Sequence, residues 1–160
     1  MSSHPYQKIA IIGMGLIGAS FAGALRAADP EGSLMGVDTA PEALAGAVQR
    51  GWVDHAVSPE DEAFERFVRE GCDLVVVATP VAAVRDYFER LAAWEYAGIV
   101  TDTLSTKRLI LQLAADILPH PERYVPGHPM AGSEKSGIDG ARDDLFRGAH
   151  WILCPDASTP

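Results

Sequence analysis

The chain has 160 residues, 48% hydrophobic and 22% charged, which suits one globular domain with a substantial core. A formal net charge of −9 argues against nucleic acid as the main partner. No apolar run reaches the roughly 20 residues that span a bilayer, the polar start through Pro5 is not a signal peptide, and Cys72 and Cys154 lack zinc or C-x-x-C spacing, which points to free thiols in a reducing cytoplasm and to no metal site.

The first element is an unbroken apolar run, Ile9-Ala10-Ile11-Ile12, that enters the turn Gly13-Met14-Gly15-Leu16-Ile17-Gly18. The period then changes to that of a helix, from about Leu16 to Ala28. Asp29 to Gly32 is a turn, and a second strand, Ser33 to Asp38, follows. Pro41 opens a helix that runs to about Arg50, and Gly51 stops it. Val53 to Val57 is a short strand. A helix from Ala63 to Glu70 turns Phe64, Phe67 and Val68 to one face. Asp73 to Ala78 is an apolar strand of the kind covered on both faces.

Thr79-Pro80 ends that strand, and a helix runs from Val81 to about Trp94 with Val84, Tyr87, Phe88 and Leu91 inward. Ile99 to Asp102 is a short strand. The helix from Lys107 to Leu118 is expected to bury Leu109, Ile110, Leu113 and Ile117, with Ser105 or Thr106 as its N-cap. Tyr124 to His128 is a strand running into a loop, Pro129 to Gly148 holds little regular structure, and Trp151 to Cys154 is the last strand. Alternating strands and helices of these lengths predict an α/β fold of the Rossmann type: doubly wound, with a mainly parallel sheet and helices on both faces.

In such a sheet the strand-end loops gather at the carboxyl edge. The glycine turn reads G-x-G-x-x-G. Gly13 permits the tight turn, Gly15 lets a pyrophosphate approach the backbone, and Gly18 lets helix and strand pack closely. The helix start, with Met14, Leu16 and Ile17 in the turn, offers free N–H groups and a positive dipole end. Asp38 stands twenty residues after Gly18, where a carboxylate accepts the ribose hydroxyls of an adenosine and repels a 2′-phosphate. That favours NAD over NADP; a helix N-cap is the plainer role for Asp38, and the two are compatible. Thr79 and Pro80 lie beside the expected path of the dinucleotide, and an ordinary capped helix entry explains them equally well. His128 falls at a strand end of the same edge, followed by small residues and then Ser133 and Glu134. An imidazole there can take a proton as a substrate alcohol is oxidised. His4, His55, His120 and His150 read as surface or packing residues.

On these residues the chain resembles the nucleotide-binding domain of the prephenate dehydrogenase family, which includes arogenate dehydrogenases. The matching stretches are Gly13 to Ser20, Ala78-Thr79-Pro80-Val81, Asp102 with Ser105 and Lys107, and Gly127-His128-Pro129-Met130-Ala131-Gly132-Ser133-Glu134-Lys135-Ser136-Gly137. The resemblance implies NAD-dependent oxidative decarboxylation of prephenate to 4-hydroxyphenylpyruvate, in tyrosine biosynthesis, or the corresponding reaction of arogenate. It gives His128 the role of proton acceptor, lets Ser105 orient it, and places Ser133 and Glu134 at the substrate site. Leu104 stands where the family often has glycine, so the loop is expected to differ locally. A helical C-terminal domain, which in the family serves dimerisation and binds substrate carboxylates, is expected to be absent here, leaving residues 1–160 as the cofactor domain, weakly active or inactive alone. Two other readings compete: a hydroxyacid dehydrogenase with a lysine catalyst, and an NAD(H)-sensing module without chemistry. Neither accounts for the His128 loop.

Overall fold

The computed structural model describes residues 5–155. Six strands form one parallel sheet: β1 (Lys8–Ile12), β2 (Ser33–Val37), β3 (His55–Val57), β4 (Leu74–Val77), β5 (Ile99–Asp102) and β6 (Tyr124–Val125). Their order in space is β3-β2-β1-β4-β5-β6. Helices α1 (Leu16–Ala28), α2 (Pro41–Gln49), α3 (Glu62–Arg69), α4 (Val84–Ala93) and α5 (Arg108–Ile117) connect them. Two further strands, β7 (Gly127–Pro129) and β8 (Trp151–Leu153), pair antiparallel as a separate ribbon.

The apolar runs are unbroken because both faces of the sheet are covered. Side chains alternate across a strand. Ala10 and Ile12 of β1 and Val75 and Val77 of β4 therefore join one core with Phe64, Phe88 and Ile110, from α3, α4 and α5. Ile9 and Ile11, with Leu74 and Val76, join the opposite core with Ala19, Ala22, Ala43 and Ala47, from α1 and α2. This is the doubly wound Rossmann arrangement. The chain runs outward from β1 to β3, then returns to place β4 on the other side of β1. The connections after β1 and β4 diverge at that reversal, and a crevice opens at the carboxyl edge.

Most element boundaries fall within a residue or two of the sequence reading, and α1 and β5 fall on it. Three local expectations are corrected. Leu109 is 53% exposed. The buried stripe of α5 is Ile110, Leu113 and Ala114, and Leu109 lies roughly a quarter turn from its centre. Neither Ser105 nor Thr106 caps α5: the N-cap position is Lys107, and no side chain caps it. The segment from Tyr124 to His128 is two strands in two sheets rather than one. Pro126 has no N–H to continue the ladder, so pairing with β5 ends at Val125 and the chain turns into β7. His4 lies outside the described residues.

Cys72 is buried and Cys154 exposed. Burial pushes the Cys72 thiol up to about 11, and thiolate is the reactive form. A thiol reagent near pH 8 is expected to modify Cys154 promptly and Cys72 only on unfolding, read as one fast equivalent in native buffer and a second in denaturant. Two fast equivalents in native buffer would contradict the packing of α3 against β4.

Candidate functional site at the carboxyl edge

The glycine turn is built on contacts too close for side chains. Gly13 has φ +95°, and a Cβ there would lie 2.6 Å from the Ala78 carbonyl oxygen. A Cβ on Gly18 would fall 1.8 Å from the Gly13 oxygen. These two glycines press α1, β1 and the end of β4 together. Gly15 differs: a Cβ there would meet nothing within 4 Å. It is the N-cap of α1, and no side chain bonds to that helix end. Open space therefore lies in front of the first N–H groups of α1. Leu16 and Ile17 form the first turn there. Met14 contributes through its backbone, since its side chain is fully buried against Gly36.

Asp38 stands just past β2. Its Oδ2 accepts the Met14 N–H at 2.6 Å, and its Oδ1 accepts the Ala40 N–H at 2.8 Å. The carboxylate thus clamps the glycine turn rather than capping α2, whose N-cap is Ala40. Each oxygen keeps a second lone pair for a hydroxyl donor.

Gly13, Gly15, Asp38, Thr39, Ala78, Thr79, Pro80, Ala83 and Tyr87 line one cavity of about 210 Å³. The Thr79 hydroxyl is buried and has no hydrogen-bond partner among the described residues. It does not cap the turn of 3-10 helix that precedes α4. A cleft with an open helix N-terminus, a carboxylate beside it and an orphan hydroxyl in its wall fits a dinucleotide. A larger hollow, about 290 Å³, lies at the opposite edge among Lys8, Ser33, His55 and Arg66. It has no glycine turn, and chemistry rather than size selects the carboxyl edge.

A second cluster sits at the end of β5. Asp102 is completely buried. Its Oδ1 accepts the Leu104 N–H at 2.8 Å and pairs with the Lys107 ammonium, while its Oδ2 accepts the Tyr124 hydroxyl. Burial, reinforced by the adjacent carboxylate, pushes the Tyr124 phenol well above its ordinary range, so it stays a donor. The Lys107 ammonium also donates to the Gly127 carbonyl. His128 follows in β7, and its Nδ1 lies 3.2 Å from the Thr103 carbonyl oxygen. Leu104 fills its place without a left-handed φ and packs against the core.

The cavity thus brings together Gly13, Gly15, Asp38, Thr79 and Pro80 from three strand ends, and His128 is held at a fourth. Ser105 is exposed, and the partner of the imidazole is the Thr103 carbonyl rather than the Ser105 hydroxyl. Ser133 and Glu134 lie on an exposed loop, where Ser133 Oγ accepts the Lys135 N–H at 3.1 Å. The sequence reading missed Tyr124, which looked like one more strand apolar, and saw in Lys107 only a motif match. The available signal was an acid ending a strand and a lysine five residues on.

Comparison with known proteins agrees with this architecture. The family described as the prephenate dehydrogenase nucleotide-binding domain matches residues 21–160. Prephenate dehydrogenase of Bacillus subtilis is 36% identical over 153 residues, which cover 94% of this chain and 40% of that protein. Prephenate dehydrogenase of Aquifex aeolicus, solved with hydroxyphenyl propionate and NAD+, superposes with a TM-score of 0.86 at 34% identity, covering 99% of this chain and 54% of that one. Arogenate dehydrogenase of Synechocystis follows with a TM-score of 0.79 at 32% identity, covering 95% of this chain and 51% of that one. The chain spans about half the length of these relatives.

The glycine geometry makes a contrast in stability. Gly18→Ala is expected to cost about 3 kcal/mol or more, because its methyl has nowhere to go. Gly15→Ala should cost no more than about 1 kcal/mol, the scale of an N-cap change. Chemical denaturation of both variants measures the difference, and equal losses would contradict the close packing at Gly18.

Proposed function

We propose that this chain, which belongs to the prephenate dehydrogenase nucleotide-binding domain family, is the cofactor half of an NAD-dependent enzyme that oxidises and decarboxylates prephenate to 4-hydroxyphenylpyruvate. One observation carries the catalytic reading: an imidazole at the carboxyl edge with its Nδ1 committed to a backbone carbonyl. When bound, NAD accepts the hydride released from the ring carbon. The chain's own residues do the rest. The open N–H groups at Gly15, Leu16 and Ile17 suit the pyrophosphate, and Asp38 suits the adenosine ribose hydroxyls. The Thr79 hydroxyl and the Pro80 turn suit the wall along the dinucleotide.

His128 accepts the proton of the substrate's C4 hydroxyl as hydride leaves that carbon. Loss of carbon dioxide makes the ring aromatic, and His128 returns its proton to the resulting phenolate oxygen. To Ser105, two residues past Thr103, we assign the task of orienting the substrate beside the imidazole. Ser133 and Glu134 line the polar entrance. The relatives are about twice as long, and we assign to the remainder of such a protein a helical domain that completes the substrate pocket and forms a homodimer. Two free thiols and the absence of an apolar membrane-length helix among the described residues are consistent with a cytoplasmic enzyme. Arogenate is the alternative substrate, favoured by the Synechocystis likeness at 32% identity.

Two experiments test this reading. In the full-length enzyme, His128→Asn should leave NAD affinity nearly unchanged and lower kcat by about 10²- to 10⁴-fold, the scale of a lost general base. Undiminished turnover would exclude His128 as the base. The 160-residue chain alone should bind NAD by calorimetry yet turn over prephenate poorly, and Asp38→Asn should weaken that binding about tenfold or more, as for a lost charged acceptor. Binding of NADP as tight as NAD by the unaltered chain would remove the role given to Asp38.

A further inference from the structure

The proton-accepting role of His128 needs a particular nitrogen to be bare, and the structure contains a device that selects it. A carbonyl oxygen only accepts, so the 3.2 Å contact between His128 Nδ1 and the Thr103 carbonyl places the ring proton on Nδ1. In the neutral ring Nε2 is then the acceptor. Free histidine favours the other tautomer, with the proton on Nε2. The contact must therefore be held in place for the base to point the right nitrogen outward.

The ladder does not hold it. Pairing of β5 with β6 ends at Thr101 opposite Val125, and Pro126 has no N–H to extend it. On its other side β7 is anchored to β8, with His128 opposite Ile152. Between the end of β5 and β7 the cross-link is the Lys107 ammonium, which bonds both the Asp102 carboxylate and the Gly127 carbonyl. The next residue of each segment forms the next rung: Thr103 follows Asp102, His128 follows Gly127, and the imidazole joins them. The approach is close, since a Cβ on Gly127 would lie 2.8 Å from the Asp102 carbonyl oxygen. Buried Asp102 fixes the ammonium in turn, and it also accepts from the Tyr124 hydroxyl and the Leu104 N–H.

We infer that Lys107 is a positioning residue: by tying Asp102 to the Gly127 carbonyl it seats the His128 ring against the Thr103 carbonyl and leaves Nε2 bare. The inference rests on the reading of His128 as the base. Its test reads the tautomer directly and so does not depend on activity.

Nitrogen-15 correlation spectra of the imidazoles, recorded where His128 is neutral, should show the His128 proton on Nδ1 in the unaltered chain. In Lys107→Met the ring should shift toward the Nε2–H form, while the spectra of His55, His120 and His150 stay as they were. Should the single variant fail to fold, Asp102→Asn with Lys107→Met removes the stranded charge and cuts the same tie, and the same shift is expected. In the full-length enzyme Lys107→Met should lower kcat about 10- to 100-fold, the scale of a misplaced group, with KM for NAD unchanged. A proton on Nε2 in the unaltered chain overturns the inference. So does a variant that melts lower yet keeps the Nδ1–H form, since Lys107 would then only neutralise Asp102. Neither result touches the His128→Asn test, whose failure would instead remove the base itself.

Discussion

The centre of the sheet has water on neither side, and that constraint organises the molecule. Ile11, Ile12, Val75 and Val76 are fully buried, so β1 and β4 need helices on both faces. Helices can reach both faces only if the chain winds outward in two directions from the middle. That winding separates the connections leaving β1 and β4, and the crevice between them is a by-product of covering the core. A ligand site at this place therefore costs the fold little. The polar work falls on backbone groups at strand ends that are already exposed.

The glycine turn shows how tightly the crevice is drawn. Gly13 and Gly18 are required by packing whether or not anything binds, because their missing side chains let α1 lie on β1 and β4. At Gly15 a Cβ would meet nothing among the described residues, so packing does not require it. The motif thus joins two structural glycines to one that leaves room. The orphan Thr79 hydroxyl in the same wall is a second feature that folding alone does not explain.

The end of β5 solves the opposite problem. Instead of an apolar strand entering water, a charge is taken fully out of it. A buried carboxylate is tolerated only when its partners are well placed, and removing one typically costs 3–5 kcal/mol. Asp102 has three: an ammonium, a phenol and an amide. They come from the N-cap position of α5, from β6 and from the loop between β5 and α5, so one anion fixes three pieces of chain in register. This is the part that was hardest to read in the sequence. The apolar runs, the periods of the helices and the glycine spacing all carry local signals, and β1, α1 and β5 were legible from them. Lys107 and Tyr124 meet Asp102 only after the chain folds, and a tyrosine in a short strand has no mark that separates a donor from a packing ring. Leu109 failed for a related reason. A helix period shows that a stripe exists, but the neighbour that covers it decides which edge of the stripe is wet. Pro126 is plain in the sequence, but whether a proline ends a strand or merely edges it depends on which side of the strand its partner occupies.

Asp38 brings the two kinds of constraint together. Both of its oxygens already accept backbone N–H groups, one from Met14 within the glycine turn and one from Ala40 before α2. Its charge is therefore part of what holds the turn in shape, and its spare lone pairs are what a ribose would meet. The two roles cannot be altered separately by changing the acid. A substitution made to admit a 2′-phosphate also frees the Met14 N–H and loosens the turn that would receive the pyrophosphate. If Asp38 meets the ribose as proposed, cofactor preference in this chain is coupled to the stability of the glycine turn, and a clean exchange of preference requires a second change that restores an acceptor for Met14.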